Sequence, residues 1–298
     1  MKRRSFIRNT TLSVFAISTY GFIRFDGDHY VGDCETTTDI LGPFYRPNSP
    51  ERTNFIMKGA PGTPVALSGV IKHNDCTTPY PKAKIELWHC SPEGKYDNTS
   101  DEYRYRGTSY SDENGKYSFK TLLPVPYADP TGHIRPAHFH LMVTAGAYQP
   151  FITQLYFTGD EYIPKDPYSA APNSKRRILD IQAVQDGTKQ VLYDISMSPK
   201  LLAEPAVIDQ LTGVYMNEKD PNNKMEFFKK DNLLWKKNEA FGRIFQYTGN
   251  NTFEYPNQPP PMSWTFHFEL LPGGAIRVTE TDIDEKGHTV VNVAMKEK

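Results

Sequence analysis

The sequence predicts an all-β fold, in which an antiparallel β-sandwich is followed by a small antiparallel β-meander or barrel-like domain. Three observations support this prediction. Tyrosine and phenylalanine, which favour strands, are abundant, with 18 Tyr and 17 Phe in the chain. The apolar runs are short and lack the spacing of an amphipathic helix. Turn-forming residues are also frequent, with 20 Gly and 24 Pro.

Length and charge limit the classes of function. With 298 residues, the chain is long enough for one large domain or two smaller ones. The formal net charge of −1 gives no electrostatic basis for binding nucleic acid, and we expect no such partner. The composition also excludes collagen, a coiled coil, an intrinsically disordered chain and a multi-span membrane protein.

Residues 1–30 have the pattern of an export signal. Lys2, Arg3, Arg4 and Arg8 precede or open an uncharged apolar stretch over Asn9–Ile23. That stretch is shorter than the ~20 apolar residues of a membrane span, and the adjacent arginines resemble the twin-arginine signal. We therefore expect export to the periplasm or the extracellular space, with no stable membrane span after processing. The alternative is a basic, disordered tail.

Three cysteines, Cys34, Cys76 and Cys90, are present in the chain. In an exported protein an even subset is expected to pair. Cys76 follows one strand-like run and Cys90 closes the next. The sequence therefore favours a Cys76–Cys90 disulfide between neighbouring strands of a sheet, with Cys34 free or buried.

Residues 31–197 form the predicted sandwich. Its strands are separated by short turns such as Asn114-Gly115, which favours a tight hairpin. A second hairpin is predicted where Asp186-Gly187 joins Ile178–Val184 to Gln190–Ile195. The other predicted strands are, in order, Leu67–His73, Ala83–His89, Lys116–Phe119, His138–Val143 and Phe151–Phe157.

Residues 198–212 break the strand pattern and are predicted to be a linker. Residues 213–298 form the predicted small β domain, which contains His267 and His288 but no acid–base or metal cluster. We interpret it as an accessory or packing module and expect its removal to leave the chemistry intact. Its predicted strands are Met225–Phe228, Leu233–Trp235, Arg243–Tyr247, Thr252–Tyr255, Thr265–Leu270, Ile276–Thr281 and Thr289–Ala294.

The most informative segment for function is Arg135–His140. In a strand, residues two apart point to the same face, so His138 and His140 project together at the spacing of two ligands of one metal ion. Phe139 then faces the core. An H-x-H pair alone also fits half-buried histidines, or the zinc and copper sites of other sandwiches.

Further motifs in the same half of the chain make this signal specific. Together with the histidine pair, they resemble the intradiol ring-cleavage dioxygenases, and the compact protocatechuate-like core in particular, over about residues 35–197. The motifs follow one another in the order of that family. They are Gly42–Tyr45, Ile85–His89, Glu93–Tyr96, Gly115–Thr121, Leu123–Tyr127 and Phe151–Phe157.

The resemblance implies a site and a reaction. A mononuclear Fe(III) would be held by two tyrosines and two histidines, and Arg135 and Gln154 would flank the substrate ring. Tyr127 would act both as a ligand and as the general base. The substrate would be a small aromatic ortho-diol of the catechol or protocatechuate type, which O2 cleaves to a muconate-type diacid. The implied ligands are Tyr96, Tyr127, His138 and His140. Leu41, and Pro124–Pro126 in the loop before Tyr127, depart from the family pattern, which leaves the identity of the diol open.

The implied ligand set is chemically consistent. Phenolates are hard anionic donors that favour Fe(III) over softer metals, and a trivalent cation keeps the phenol oxygen deprotonated. Fe(III) with two phenolates and a hydroxide is neutral. A catecholate dianion that displaces the hydroxide and one phenolate leaves the site neutral again, which avoids an isolated buried charge.

Two other functions remain open from the residues alone. The first is an exported, prealbumin-like β-sandwich that binds a carbohydrate or a partner without catalysis. The second is a copper and zinc site of the superoxide-dismutase type, which would need more converging histidines than His29, His73, His89 and His133 supply. The chain contains no G-x-S-x-G motif and no phosphate-binding loop of the G-x-x-x-x-G-K type. Assembly into a homo-oligomer is left open.

Overall fold

A computed structural model describes residues 17–18, 21–25, 30–32 and 36–297, except 130, 147, 149, 185–187, 199–201, 221 and 240. The Arg3-Arg4 pair, Cys34 and the predicted Asp186-Gly187 turn lie outside the described residues. Three short strands near the N-terminus, β1 (Ile17–Ser18), β2 (Gly21–Phe25) and β3 (Tyr30–Gly32), form an antiparallel sheet. Within the described part of the chain, no helix is both long and apolar enough to cross a membrane.

Two β-sheets face each other in the middle of the chain, as the all-β prediction required. One sheet has the strand order β12-β11-β10-β5-β6, and the other contains β13, β14, β4 and β15 with β7 paired to β4. The strands are β4 (Pro64–Lys72), β5 (Lys84–Trp88), β6 (Arg106–Tyr110), β7 (Lys116–Leu122), β8 (Tyr127–Ala128), β9 (Ile134–Arg135), β10 (His138–Thr144), β11 (Phe151–Phe157), β12 (Ile178–Leu179), β13 (Gln182–Ala183), β14 (Lys189–Leu192) and β15 (Ile195–Ser196). β8 and β9 pair with each other in a separate two-stranded sheet, and two 3-10 turns cover Ile163–Lys165 and Pro172–Arg177.

The central strand β10 separates two environments. Phe139, Leu141 and Val143 alternate along it and are buried in the core between the two sheets. His138 and His140 take the intervening positions and therefore lie on the opposite face. This is the orientation that the sequence predicted for the two histidines.

The sandwich is not purely antiparallel. β11 pairs with β12, and β4 pairs with both β14 and β15, in parallel. The predicted strand Ile178–Val184 also splits, because β12 joins the sheet of β10 whereas β13 joins the sheet of β4. Periodicity indicates which residues can form a strand, but it does not indicate the sheet that each half will join.

The C-terminal part is a closed, eight-stranded antiparallel barrel. The sequence predicted seven of its strands and missed the first, which pairs with the last and closes the barrel. The interior is filled with aromatic side chains such as Phe227, Phe245 and Phe266. The strands are β16 (Gly213–Asn217), β17 (Lys224–Lys230), β18 (Leu233–Lys236), β19 (Arg243–Gly249), β20 (Thr252–Glu254), β21 (Ser263–Leu270), β22 (Ile276–Ile283) and β23 (Thr289–Lys296).

The predicted linker contains a short helix, α1 (Pro205–Leu211). Pro205 takes the first helical turn, where its missing N–H is not needed. Ile208 and Leu211 are buried in the core of the barrel, so this segment is part of the barrel's packing. Seven residues contain too few turns to show the helical period in the sequence.

An aromatic interface joins the barrel to the sandwich. Trp235 on β18 is fully buried and stacks on Tyr45, with ring centroids 5.8 Å apart. Tyr45 in turn meets Trp88 of β5 edge-on at 5.2 Å. We call the buried residues shared by the two parts the interface cluster. They are Leu41, Tyr45, Trp88, Met142, Ile152, Leu233, Trp235 and Ile244. Removing the barrel would expose these rings, and the expectation that the chemistry survives its removal stays a prediction.

The predicted Cys76–Cys90 disulfide is wrong. Cys90 is a free, buried thiol, with its Sγ 3.4 Å from the carbonyl oxygen of Val125, and burial raises its pKa to about 11. Cys76 is disulfide-bonded, and Cys34 lies outside the described residues. The prediction failed because it placed β4 and β5 side by side in one sheet, whereas they belong to opposite sheets.

Because Trp235 is the largest barrel residue of the interface cluster, we expect its truncation to destabilise the protein. Replacing Trp235 by Ala removes a fully buried indole, and such truncations destabilise by about 3–5 kcal/mol. We expect a clear fall in the urea midpoint of unfolding, followed by fluorescence and circular dichroism. Leu270→Ala, at an exposed position of the same barrel, is the control and should leave the midpoint unchanged. Equal midpoints for the two variants would contradict the packing described here.

Candidate metal centre and active site

Three of the four predicted metal ligands converge on one point. The Nε2 atoms of His138 and His140 are 3.1 Å apart. The hydroxyl oxygen of Tyr96 lies 3.1 Å from Nε2 of His140 and 3.4 Å from Nε2 of His138. The ring of Tyr127 is beside them, with its centroid 5.3 Å from that of Tyr96 and 5.6 Å from that of His138.

The strands that flank β10 set the positions of these side chains. His140 is opposite Trp88 of β5 on one side and Gln154 of β11 on the other. Tyr127 on β8 is opposite Arg135 on β9, so the hairpin brings the loop tyrosine to the start of β10. The histidine pair, the tyrosine and the arginine are thus positioned by backbone pairing.

Tyr96 comes from a tight turn that requires a glycine. Gly94 has a φ of +72°, and its N–H donates to the carbonyl oxygen of Ser91. A Cβ on Gly94 would lie 3.2 Å from the Cβ of Tyr127. The turn therefore brings the two tyrosine-bearing loops together at a distance that a larger residue would disturb.

His140 is held between an indole and a glycine. The ring of Trp88 is stacked on it, with centroids 4.9 Å apart and an interplanar angle of 5°. On the loop before β4, a Cβ on Gly42 would lie 2.9 Å from Cε1 of His140. Trp88 also belongs to the interface cluster, so the packing of the barrel reaches this imidazole through one intermediate ring.

The contacts of His138 fix its tautomer, with a lone pair on the nitrogen that faces His140. Nδ1 of His138 is 2.6 Å from the carbonyl oxygen of Pro136, which can only accept a hydrogen bond, so Nδ1 carries the proton and Nε2 keeps a lone pair. Burial, and then the charge of Arg135, lowers the pKa of His138 to about 3. Burial and the neighbouring His138 lower the pKa of His140 as well. Both imidazoles are therefore neutral and able to act as ligands.

The phenols complete a donor set that suits a metal cation. Burial raises the pKa of Tyr127 to about 12 and also raises that of Tyr96, so both hydroxyls stay protonated unless a cation is bound between them. Among the described residues, no three His, Cys, Asp or Glu side chains form a group that could hold a metal ion, so a metal bound beside His138 and His140 would need the tyrosine oxygens as ligands. Imidazole nitrogens with hard phenolate oxygens fit a first-row metal such as iron.

Arg135 is fixed beside the donor set by a network of buried groups. Its Nε lies 2.6 Å from Oδ1 of Asp166, and its Nη2 donates to Oε1 of Gln154 at 2.8 Å. Gln154 also donates to the carbonyl oxygen of Ile40 at 3.0 Å, and the hydroxyl of Tyr156 donates to Oε1 of Gln154 at 3.2 Å. The structure thus brings the two predicted flanking residues into direct contact.

The sequence missed the residues that hold this network in place. Asp166 and Asp39 are buried carboxylates, and they pair with Arg135 and Arg177 respectively. Each partner is remote in sequence, and a single aspartate in a loop carries no motif. Trp88 was noted within a strand and a family motif, but without a role, although its side chain supports His140.

Comparisons with known proteins find relatives for the sandwich part of the chain. A family model described as Dioxygenase matches residues 40–199. The chain is 35% identical to the chlorocatechol 1,2-dioxygenase of Rhodococcus opacus, over 54% of this chain and 71% of that protein. It is 31% identical to the catechol 1,2-dioxygenase of Candida albicans, over 55% of this chain and 62% of that protein. It therefore spans less than two thirds of the second relative's length.

Solved structures show the same fold for the sandwich. The catechol 1,2-dioxygenase of Acinetobacter sp. ADP1 has 25% identity and a TM-score of 0.50, over 56% of this chain and 63% of that chain. The 3-chlorocatechol 1,2-dioxygenase of Rhodococcus opacus 1CP has 22% identity and a TM-score of 0.50, over 54% of this chain and 72% of that chain.

The convergence of donors predicts the metal content of histidine variants. His138→Ala and His140→Ala each remove one neutral nitrogen ligand, so both should lose most of the bound metal, measured by inductively coupled plasma mass spectrometry after gel filtration. His267→Ala removes an exposed histidine of the barrel and should keep the wild-type metal content. Full metal occupancy in either of the first two variants would exclude that residue as a ligand.

The ion pair of Arg135 predicts a second effect. Asp166→Asn would leave a buried guanidinium without its carboxylate, and breaking a buried pair destabilises by about 3–5 kcal/mol. We expect a lower urea midpoint and weaker substrate binding. Asp284→Asn breaks a pair with His288 on the surface and should change neither property. If both variants unfold like the wild type, the Arg135–Asp166 pair does not stabilise the site.

Proposed function

Because the chain belongs to the intradiol ring-cleavage dioxygenase family, we propose that it is a non-haem Fe(III) dioxygenase that cleaves an aromatic ortho-diol. The bond broken would be the one between the two hydroxylated carbons, and both atoms of O2 would enter a muconate-type diacid. The observation that carries this proposal is the convergence of Tyr96, His138 and His140 on one point beside Tyr127. Relatives named as catechol, chlorocatechol and hydroxyquinol 1,2-dioxygenases support the class of substrate.

Tyr96, Tyr127, His138 and His140 would hold the metal ion. When bound there, ferric iron would take up the diol through its oxygens and make the ring reactive toward O2. The two phenolates would offset most of the charge of the ion, and the neutral imidazoles would add none. This balance suits a site in which His138 and His140 are each 1% exposed, because an uncompensated charge there would be strongly destabilising.

Tyr127 is the residue that we assign to proton transfer. Burial raises the pKa of its hydroxyl to about 12, so its phenolate is a strong base in this environment. The diol must lose its hydroxyl protons as it binds, and the Tyr127 phenolate can accept one of them. The neighbouring charge of Arg135 counteracts the effect of burial on this pKa, so the two residues are electrostatically coupled.

Arg135 and Gln154 orient the ring and stabilise its negative charge. The guanidinium is held at two of its nitrogens, by Asp166 and by Gln154, so it is already in place when charge develops on the substrate. Preorganised charges of this kind need no rearrangement during the reaction. Such a network has no evident purpose in a sandwich that only binds a partner, which is the alternative that the sequence left open.

We also propose that the protein is exported through the twin-arginine route. The Arg3-Arg4 pair before an uncharged stretch supports this, and so does the disulfide bond of Cys76, because disulfides persist in oxidising compartments. Replacing both arginines by lysine should leave the protein in the cytoplasm, measured by cell fractionation. Unchanged export of that variant would contradict the proposal.

The proposed reaction is tested by product and oxygen analysis. Iron-loaded protein is incubated with catechol, 3,4-dihydroxybenzoate and hydroxyquinol, and O2 uptake is followed with an electrode. We expect uptake with at least one of these diols and, under 18O2, two labelled oxygens in the diacid. No uptake with any of them by protein that contains stoichiometric iron would overturn the proposal.

The assignment of Tyr127 predicts a specific phenotype. Tyr127→Phe removes the base but leaves Tyr96 and both histidines, so iron should remain partly bound while kcat falls by about two orders of magnitude or more. Tyr110→Phe alters an exposed tyrosine and serves as the control. Wild-type kcat in Tyr127→Phe would remove this residue from the reaction.

A further inference from the structure

At one end of the barrel, charged and polar side chains replace the aromatic ones on the inner face. Side chains two apart on a strand share a face, so Arg243 lies on the same face as Phe245, which is in the barrel core. Lys236 lies in the same way on the face of Leu234. We call the polar end of the barrel interior the barrel mouth. Its residues are Lys236, Arg243, Tyr255, Trp264, Glu280 and Asp282.

Two cations meet in the barrel mouth. Lys236 and Arg243 are directly opposite each other on paired strands, an arrangement that is unfavourable unless something offsets the charge. Both rest on aromatic rings, because the Cζ of Arg243 is 5.6 Å from the ring centroid of Tyr255 and 5.2 Å from that of Trp264. The Nζ of Lys236 is 5.0 Å from the ring centroid of Trp264.

Glu280 and Asp282 lie close enough to interact electrostatically with Lys236, and Asp282 also interacts with Arg243, but neither carboxylate of these described residues forms an ion pair with either cation within 4.0 Å. Nε of Arg243 is buried and has no hydrogen-bond partner among those residues. Glu280 faces the same mouth, but its oxygens accept hydrogen bonds from Trp264 at 2.8 Å and Asn292 at 3.0 Å. The guanidinium of Arg243 therefore has an N–H group that donates no hydrogen bond to the described residues.

Two residues lie between the barrel mouth and the metal centre and contact both. The first is Tyr168, whose ring centroid is 4.9 Å from Cζ of Arg135 and which packs against the core of the barrel. The second is Gly42, whose backbone lies near the hydroxyl of Tyr255. Gly42 is also the residue that abuts the ring of His140. A ring bound at the metal centre therefore has the barrel mouth beside it.

We propose that Arg243, with Lys236 next to it, binds an anionic substituent of the substrate, so that the enzyme selects ortho-diols that carry a carboxylate. This inference rests on the proposed function and adds the class of diol to it. A guanidinium can hold a carboxylate through two parallel hydrogen bonds, and a partly desolvated site strengthens them. The barrel would then be a specificity element of the enzyme, beyond the packing role expected from its sequence.

The test compares each acid with its own neutral ester. The substrates are 3,4-dihydroxybenzoate, 3,4-dihydroxyphenylacetate and 3,4-dihydroxycinnamate, which carry the carboxylate at increasing distance from the ring, together with their methyl esters. For wild-type protein we expect kcat/KM to favour the acid over the ester in at least one pair. In Arg243→Met, this acid-to-ester ratio should fall by about 10- to 100-fold, as expected for the loss of a charged hydrogen-bonding partner.

Two further variants make the result specific. Arg277→Met removes an arginine from the outer face of the same barrel, where it pairs with Glu269 at 2.7 Å, and should keep the wild-type ratio. Lys236→Met should lower the ratio severalfold, and it tests the proposal even if Arg243→Met does not fold. The affinities of acid and ester for the iron-loaded protein without O2 are measured by calorimetry. The wild type and Arg277→Met should bind the acid more tightly than its ester, and Arg243→Met and Lys236→Met should lose most of this preference.

The outcomes separate the two proposals. If wild-type protein cleaves no diol at all, the proposed function fails. If it cleaves diols but prefers no acid over its ester, the role of Arg243 is wrong and the proposed function stands. The role of Arg243 is also wrong if Arg243→Met and Lys236→Met both retain the wild-type ratio.

Discussion

The candidate site depends on the burial of imidazole and phenol groups next to one another. Two imidazole nitrogens and a phenol oxygen lie within 3.4 Å of one another in a space from which water is largely excluded. Burial keeps the imidazoles neutral and the phenols protonated. A metal ion reverses that preference for the phenols, because its charge stabilises the phenolates that burial alone disfavours. The surrounding groups position and support this set.

The support comes from both parts of the chain. On the sandwich side, strand pairing sets His138 and His140 opposite Tyr156 and Gln154. On the barrel side, Trp235 packs on Tyr45, which meets the indole that stacks on His140. Barrel and metal centre are therefore one packed structure. This coupling allows a barrel residue such as Arg243 to influence which substrate reaches the metal centre.

Much of the site could be predicted from the sequence, because its residues lie in contiguous motifs on strands or in tight turns. The H-x-H pair needs only the two-residue period of a strand, and Tyr96 and Tyr127 were found through the family resemblance. Residues whose partners are remote in sequence could not be predicted in this way. Asp166 meets Arg135 only in the folded chain, and the Cys76–Cys90 pairing failed because consecutive strands need not share a sheet. The first barrel strand, Gly213–Asn217, was missed because its three consecutive apolar residues do not alternate with polar ones, and the helix Pro205–Leu211 because it is too short to show a helical period.

The central claim is that two tyrosines and two histidines hold a ferric ion. The visible absorption spectrum of the purified, iron-loaded protein tests it most directly, because a phenolate bound to Fe(III) gives a strong visible charge-transfer band that imidazole and carboxylate ligands do not. We expect a red colour that loses intensity when Tyr96 or Tyr127 is replaced by Phe and that shifts when a diol is added without O2. A protein that contains stoichiometric iron but is colourless, or whose spectrum is the same in both tyrosine variants, would contradict this account of the site.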